Sequence, residues 1–207
     1  DNMWALVEDG SITKLINNPK AMVIGDTRYS RNIFSFRWTN AEREAIGLYE
    51  VVFNNTKKKD EEYYTNTDQT FTYDADAGTV TATYGDATAK AHADTLFTAQ
   101  DESDGKGTEG EVKVEGLKTV KIRTVKQQAA GELQNTDWYI TRKADAGTAV
   151  PSAITTHRAA VRTKCAEMET AITNAADTPA IETLYTYTEQ EDGSVTRPLG
   201  ELPTLEV

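Results

Sequence analysis

The chain opens on a short apolar run, residues 3–7, which Asp9-Gly10 separates from a second strand-like run, residues 11–16. An Asp-Gly pair between two such runs is a strong hairpin signal, because the tight turn needs positive φ at both of its positions. Asn17-Asn18-Pro19 reads as a second turn and residues 21–24 as a third strand. Gly25-Asp26 then makes a tight connection to Thr27-Arg28-Tyr29. The pattern predicts an antiparallel meander. Thr39 stands three residues before Glu42, the spacing of a capping box, and Gly47 closes a short helix over residues 41–46. Residues 48–53 form the next strand, followed by Tyr63-Tyr64 and by residues 70–73 and 79–84. The last two alternate with period two, as strands with one wet face do.

The pattern then decays. Between residues 87 and 110 Asp, Glu, Gly, Lys and Thr dominate, with Gly105, Gly107 and Gly110 close together, which reads as a flexible linker. Beyond it Leu117, Val120, Val125, Ala129 and Leu133 recur at roughly helical spacing, so a helix to about Gln134 is expected. After Pro151, Ile154, His157, Val161, Cys165, Met168 and Ile172 follow at steps of three and four, the most regular pattern in the chain. Arg158, Arg162, Lys164, Glu167 and Glu169 fall largely off that stripe and are placed on the water-facing side. Asp177-Thr178-Pro179 ends this helix or starts a short turn. A last hairpin is centred on Asp192-Gly193, and a tail spans residues 198–203 with a proline at each end.

These periods predict an α+β fold, with an antiparallel β-rich N-terminal module and a C-terminal α-helical hairpin. The β-rich module with one short helix covers residues 1–86. The linker covers 87–110, and the hairpin with a short C-terminal extension covers 111–207. A thin helical hairpin with one apolar stripe buries little alone, so a partner surface or self-association into a homo-oligomer would help stabilise it.

Composition narrows the function. With 22 basic and 33 acidic residues the net charge is -11, which repels phosphate backbones and argues against a nucleic-acid partner. Lys57-Lys58-Lys59 is followed at once by Asp60-Glu61-Glu62, so the two runs largely neutralise each other. Cys165 is the only cysteine, which excludes an internal disulfide and fits a reducing cytoplasm. No run approaches 18 consecutive apolar residues, and the N-terminus has neither a basic nor an apolar leader region, so no membrane partner or export signal is expected. Asp1 and Asn2 ahead of Met3 leave the start position open.

Candidate chemistry is sparse. His92 and His157 are 65 positions apart and outside any metal-ligand spacing. Asp74-x-Asp76-x-Gly78 has carboxylates spaced as in a calcium loop, but it lies between two alternating strands, where a hairpin turn explains it. No nucleophile elbow, phosphate-binding loop or dinucleotide fingerprint occurs, and Cys165 in mid-helix lacks a base. Paired carboxylates for glycan hydrolysis are not visible as a pattern. The expectation is therefore no enzyme, no cofactor, no metal and no small-molecule substrate. Trp4, Trp38, Trp138, Tyr63, Tyr64 and Tyr139 are the aromatics of interest, since Trp and Tyr concentrate both in cores and at interface hot spots.

Asn135-Thr136-Asp137-Trp138-Tyr139-Ile140, then Ala146-Gly147-Thr148-Ala149-Val150-Pro151, then His157-Arg158-Ala159-Ala160-Val161-Arg162 together resemble the C-terminal region of bacteriophage tail-fibre assembly proteins. That region carries a helix, a Thr-Asp-Trp, a short loop and a helix with Arg-x-x-x-Arg, supplied here by Arg158 and Arg162. His157 stands where an aromatic residue is usual. Tyr29-Ser30-Arg31-Asn32-Ile33-Phe34, ahead of Trp38, Glu42, Ala45 and Gly47, looks like the strand, loop and short helix that often precede this module. The specific motifs cover about 60 residues. The resemblance implies a non-enzymatic tail-associated protein in the virion tail, assembled in the host cytoplasm, that binds tail-fibre or other tail proteins. Its alternatives are a transient fibre-assembly chaperone absent from the virion and a host-glycan-binding module. Trp138, Tyr139, Arg158, Arg162 and Trp38 are the interaction candidates, with Trp138 expected to pack inside the hairpin first.

Overall fold

A computed structural model of the chain describes residues 2–206. It is α+β, with a largely antiparallel sheet in the N-terminal half and helices in the C-terminal half. Two compact units divide the chain, the first ending at Thr88 and the second beginning at Ala89.

In the first unit, β1 (Trp4–Glu8) and β2 (Ser11–Ile16) form the expected hairpin. Asp9 at φ 51° and Gly10 at φ 78° supply the left-handed turn. β3 (Met22–Ile24) and β4 (Thr27–Tyr29) make a second antiparallel pair. A 3-10 turn over Arg31–Phe34 leads to α1 (Asn40–Ala45), where Thr39 and Glu42 close both arms of the capping box. β5 (Leu48–Asn54), β6 (Tyr64–Thr65), β7 (Thr70–Asp74) and β8 (Thr79–Thr83) follow.

The meander reading is corrected by the order β2-β1-β5-β8-β7. β1 pairs with β5, and β5 runs parallel to β8, with Val51 opposite Val80. The excursion over residues 55–69 carries the chain past the neighbouring position, and the β7–β8 hairpin then inserts β8 beside β5. Alternation along a strand reports which face is buried and says nothing of neighbour or direction. One face of the sheet packs Trp4, Ile16 and Leu48 against Ile33, Trp38 and the β3–β4 pair. The other gathers Ala5, Val51, Val80 and Ala82 with Ile12, Tyr49, Phe71 and Tyr73. The edge strands β2 and β7 draw together, so the sheet curls over this second face. On it the part-buried Tyr49 and Tyr73 hydroxyls are 3.4 Å apart.

The second unit corrects the linker reading. Residues Thr95–Leu96 pair with Val112–Val114, and between them Thr98 and Asp101 form a capping box on α2 (Ala99–Ser103). The Asp94 carboxylate accepts from the Gly116 N–H at 2.7 Å and the Thr119 hydroxyl at 2.6 Å, tying this segment to the start of α3 (Leu117–Gln134). Gly116 is needed there, since a Cβ would lie 2.3 Å from the Ala93 carbonyl carbon. Short polar sequence with glycines looks like a linker because its stabilising bonds run between segments and leave no apolar period.

The helical hairpin is built from α3 and α5 (Ser152–Asn174), but a third helix, α4 (Asp137–Ala146), occupies what reads as turn and loop. On α5, Ile154, His157, Val161, Met168 and Ile172 are buried as the stripe predicts. On α3, Val125 and Ala129 are buried, whereas Val120 is exposed and Ile122 takes part in the core instead. Asp177 caps α6 (Thr178–Tyr185). The tail returns to the helices, with Leu199 and Leu202 joining Val125, Met168 and Ile172.

Candidate interaction site

Arg158 and the Thr136-Asp137-Trp138 motif meet where α3 gives way to α4. Arg158 Nη1 lies 2.9 Å from the Leu133 carbonyl, 2.8 Å from Thr136 Oγ1 and 2.9 Å from Asp137 Oδ1. The Thr136 hydroxyl donates to the same Leu133 carbonyl, and Thr136 is 2% exposed. A helix leaves its last carbonyls without partners, and a cation near them is favourable. Asp137 in turn places its negative charge at the start of α4, where exposed N–H groups favour it. Arg158 therefore joins the end of one helix to the start of the next. This corrects its placement on the water-facing side: its side chain is only 15% exposed, while Arg162 is exposed as expected.

α4 so held has no buried residue among its ten, and Gly147 ends it at φ 72°. A helix this short is marginal without tertiary contacts. Trp138 is 51% exposed, which corrects the expectation that it packs inside the hairpin. Its ring stacks on that of Tyr139, with centroids 3.8 Å apart. Arg142 lies over both, Cζ being 4.9 Å from the Trp138 centroid and 5.5 Å from that of Tyr139. The steps of four and three along α4 put this guanidinium beside the two rings. Ile140 is also exposed. The periodic reading missed Arg142, although its spacing from the adjacent Trp and Tyr was a usable signal.

Trp38 belongs to the first unit, where it is half-buried, packs edge-on to Tyr29 at 6.0 Å and supports the Trp4–Leu48 face. Its neighbour Arg43, buried on α1, donates to the carbonyls of Ile33, Ser35 and Trp38 and stacks over Trp4 at 4.7 Å. The loop so fixed displays Phe36, 94% exposed, a residue that its apolar type alone would have placed inside.

The remaining candidates have structural partners. Asp74 Oδ1 accepts from the N–H groups of Asp76 and Ala77, committing that carboxylate to a turn. His157 is buried with Nε2 3.2 Å from Glu132 Oε1 across α3 and α5, at an angle that makes no hydrogen bond. Burial, and then the Glu169 carboxylate beside it, push the Cys165 thiol up, away from the reactive thiolate. Lys58 and Lys59 lie over the rings of Tyr84 and Tyr64. Among the described residues no group of His, Cys, Asp or Glu is arranged to hold a metal ion, and no helix is long and apolar enough to cross a membrane.

Comparison with protein-family models, with curated proteins and with solved structures gives no match to this chain.

Proposed function

We propose that the chain is a non-enzymatic phage tail-associated protein that binds tail-fibre or neighbouring tail proteins through the α4 face, as a virion component or as a fibre-assembly factor. The phage context rests on the motif resemblance. The docking role rests on one observation: a helix with no buried residue displays a stacked Trp138–Tyr139 pair under Arg142. Trp, Tyr and Arg are the residue types that dominate interface energetics. Arg158 fixes the start of that helix, so little conformational freedom is left to lose on binding.

Quantitative mass spectrometry of purified particles of the encoding phage, with wild-type chain and with Trp138→Ala, tests this. An integral ratio to the fibre protein that Trp138→Ala abolishes identifies a virion component docked through α4. Presence in the lysate and absence from particles, with fibre incorporation lost in Trp138→Ala, identifies an assembly factor. Normal particles and fibres with Trp138→Ala would remove the α4 face from the reading.

A further inference from the structure

Building on that docking reading, we propose that the partner is recognised through a carboxylate: Arg142, lying on the Trp138–Tyr139 pair, receives an acidic side chain flanked by apolar residues of a partner protein.

Of the four other guanidinium groups of the second unit, three are already matched inside the chain, and the fourth, Arg162, is exposed on α5 with no ion pair among the described residues. Arg123 pairs with Glu115 at 2.6 Å, Arg158 with Asp137 at 2.9 Å and Arg197 with Glu201 at 3.1 Å. Arg142 has no ion pair among the described residues, and its Nε is enclosed without an acceptor. The guanidinium thus combines two ring contacts with the absence of an internal counter-ion. A planar fork of donors matches a carboxylate in bidentate fashion better than any other side-chain anion.

The net charge of -11 repels an acidic segment at long range, so one is held only where a local cation lacks a counter-ion and apolar surface lies beside it. Trp138 at 51% exposure and Ile140 at 43% supply that surface on the same helix. The groove of about 540 Å³ along α3, lined by Ile122, Arg123, Lys126 and Ala130, does not meet this condition. Its two cations are already paired, with Glu115 and Glu169.

The test uses the full chain, labelled with nitrogen-15, and two capped peptides, acetyl-Leu-Asp-Leu-Glu-Leu-amide and acetyl-Leu-Asn-Leu-Gln-Leu-amide. Magnetic resonance follows the Trp138 indole N–H and the Arg142 Nε–H. The acidic peptide is expected to shift both saturably, with a Kd roughly tenfold below that of the amide peptide, the scale of one charge-assisted bond. Arg142→Gln is expected to abolish the preference while the rest of the spectrum is unchanged. Equal affinities, no saturable shift at millimolar peptide, or a preference that survives Arg142→Gln would each overturn the assignment. If that happens while Trp138→Ala still fails in particles or fibre incorporation, the docking face stands and only its acidic ligand is lost. Normal particles with Trp138→Ala remove the face itself.

Discussion

The Arg158 guanidinium and the Asp137 carboxylate meet at 2.9 Å, 21 residues apart in sequence, at the one place where α3 ends and α4 begins. Neither group is placed by its own helix's apolar stripe. Their contact, with the Leu133 carbonyl and the Thr136 hydroxyl drawn in beside it, sets the direction in which α4 leaves the helical hairpin. The display of Trp138 and Tyr139 follows from that direction.

Arg158→Ala is expected to cost roughly 1.5–3 kcal/mol, the scale of hydrogen bonds to a charged group whose partners are left buried. Arg162→Ala on the exposed side of the same helix is expected to stay within about 0.5 kcal/mol of wild type. Urea unfolding of the two variants checks this, and equal losses would contradict the clamp.

Trp138→Ala is expected to lose under about 1 kcal/mol, because half of the side chain is already in water. A core tryptophan would lose roughly 3–5 kcal/mol. Thermal unfolding separates the two, and the small value is what makes this variant a clean probe of docking.

The Tyr49 hydroxyl is pushed up to about 12 by its hydrogen bond to Tyr73 and by burial. A folded-state pKa above the unfolded value of 10.0 means that the folded chain holds this proton more tightly. The resulting stability is fully present below about 10 and is lost as pH rises through about 12. Tyr73→Phe removes the hydroxyl partner, so the Tyr49 titration is expected to move down, read by ultraviolet absorbance. An unmoved titration would count against the pair.

Gly47→Ala is expected to destabilise by at least roughly 2 kcal/mol. The residue sits at φ +88°, and an added Cβ would lie 2.4 Å from the Val7 carbonyl oxygen. Gly10 also has positive φ but meets nothing within 4 Å, so Gly10→Asn, in a conformation Asn tolerates, is expected to cost much less. Denaturant midpoints compare them, and similar shifts would show that φ alone governs both sites.

Several elements are legible because their causes lie within a few residues. Asp9-Gly10 specifies its turn through φ, Thr39 and Glu42 satisfy each other's backbone donors, and the α5 stripe from Ile154 to Ile172 follows the turn of a helix. Asp192-Gly193 likewise turns the hairpin pairing Thr188 with Thr196. α4 was not legible as a helix, since none of its residues is buried and no stripe is required of it. Arg43 was not legible as a core residue, since its acceptors are the carbonyls of a loop whose path the pattern does not describe.

The fold class and the positions of most strands and helices were legible along the chain, because caps, turn residues and periodicity act locally. Packing in three dimensions placed β8 between β5 and β7, joined residues 89–110 to the helical unit, and made Arg158 a clamp while Arg142 lies over two rings. What separates the two is range. Each of these outcomes depends on which distant groups share a donor, an acceptor or a buried face, and such pairings leave no period in the chain that carries them.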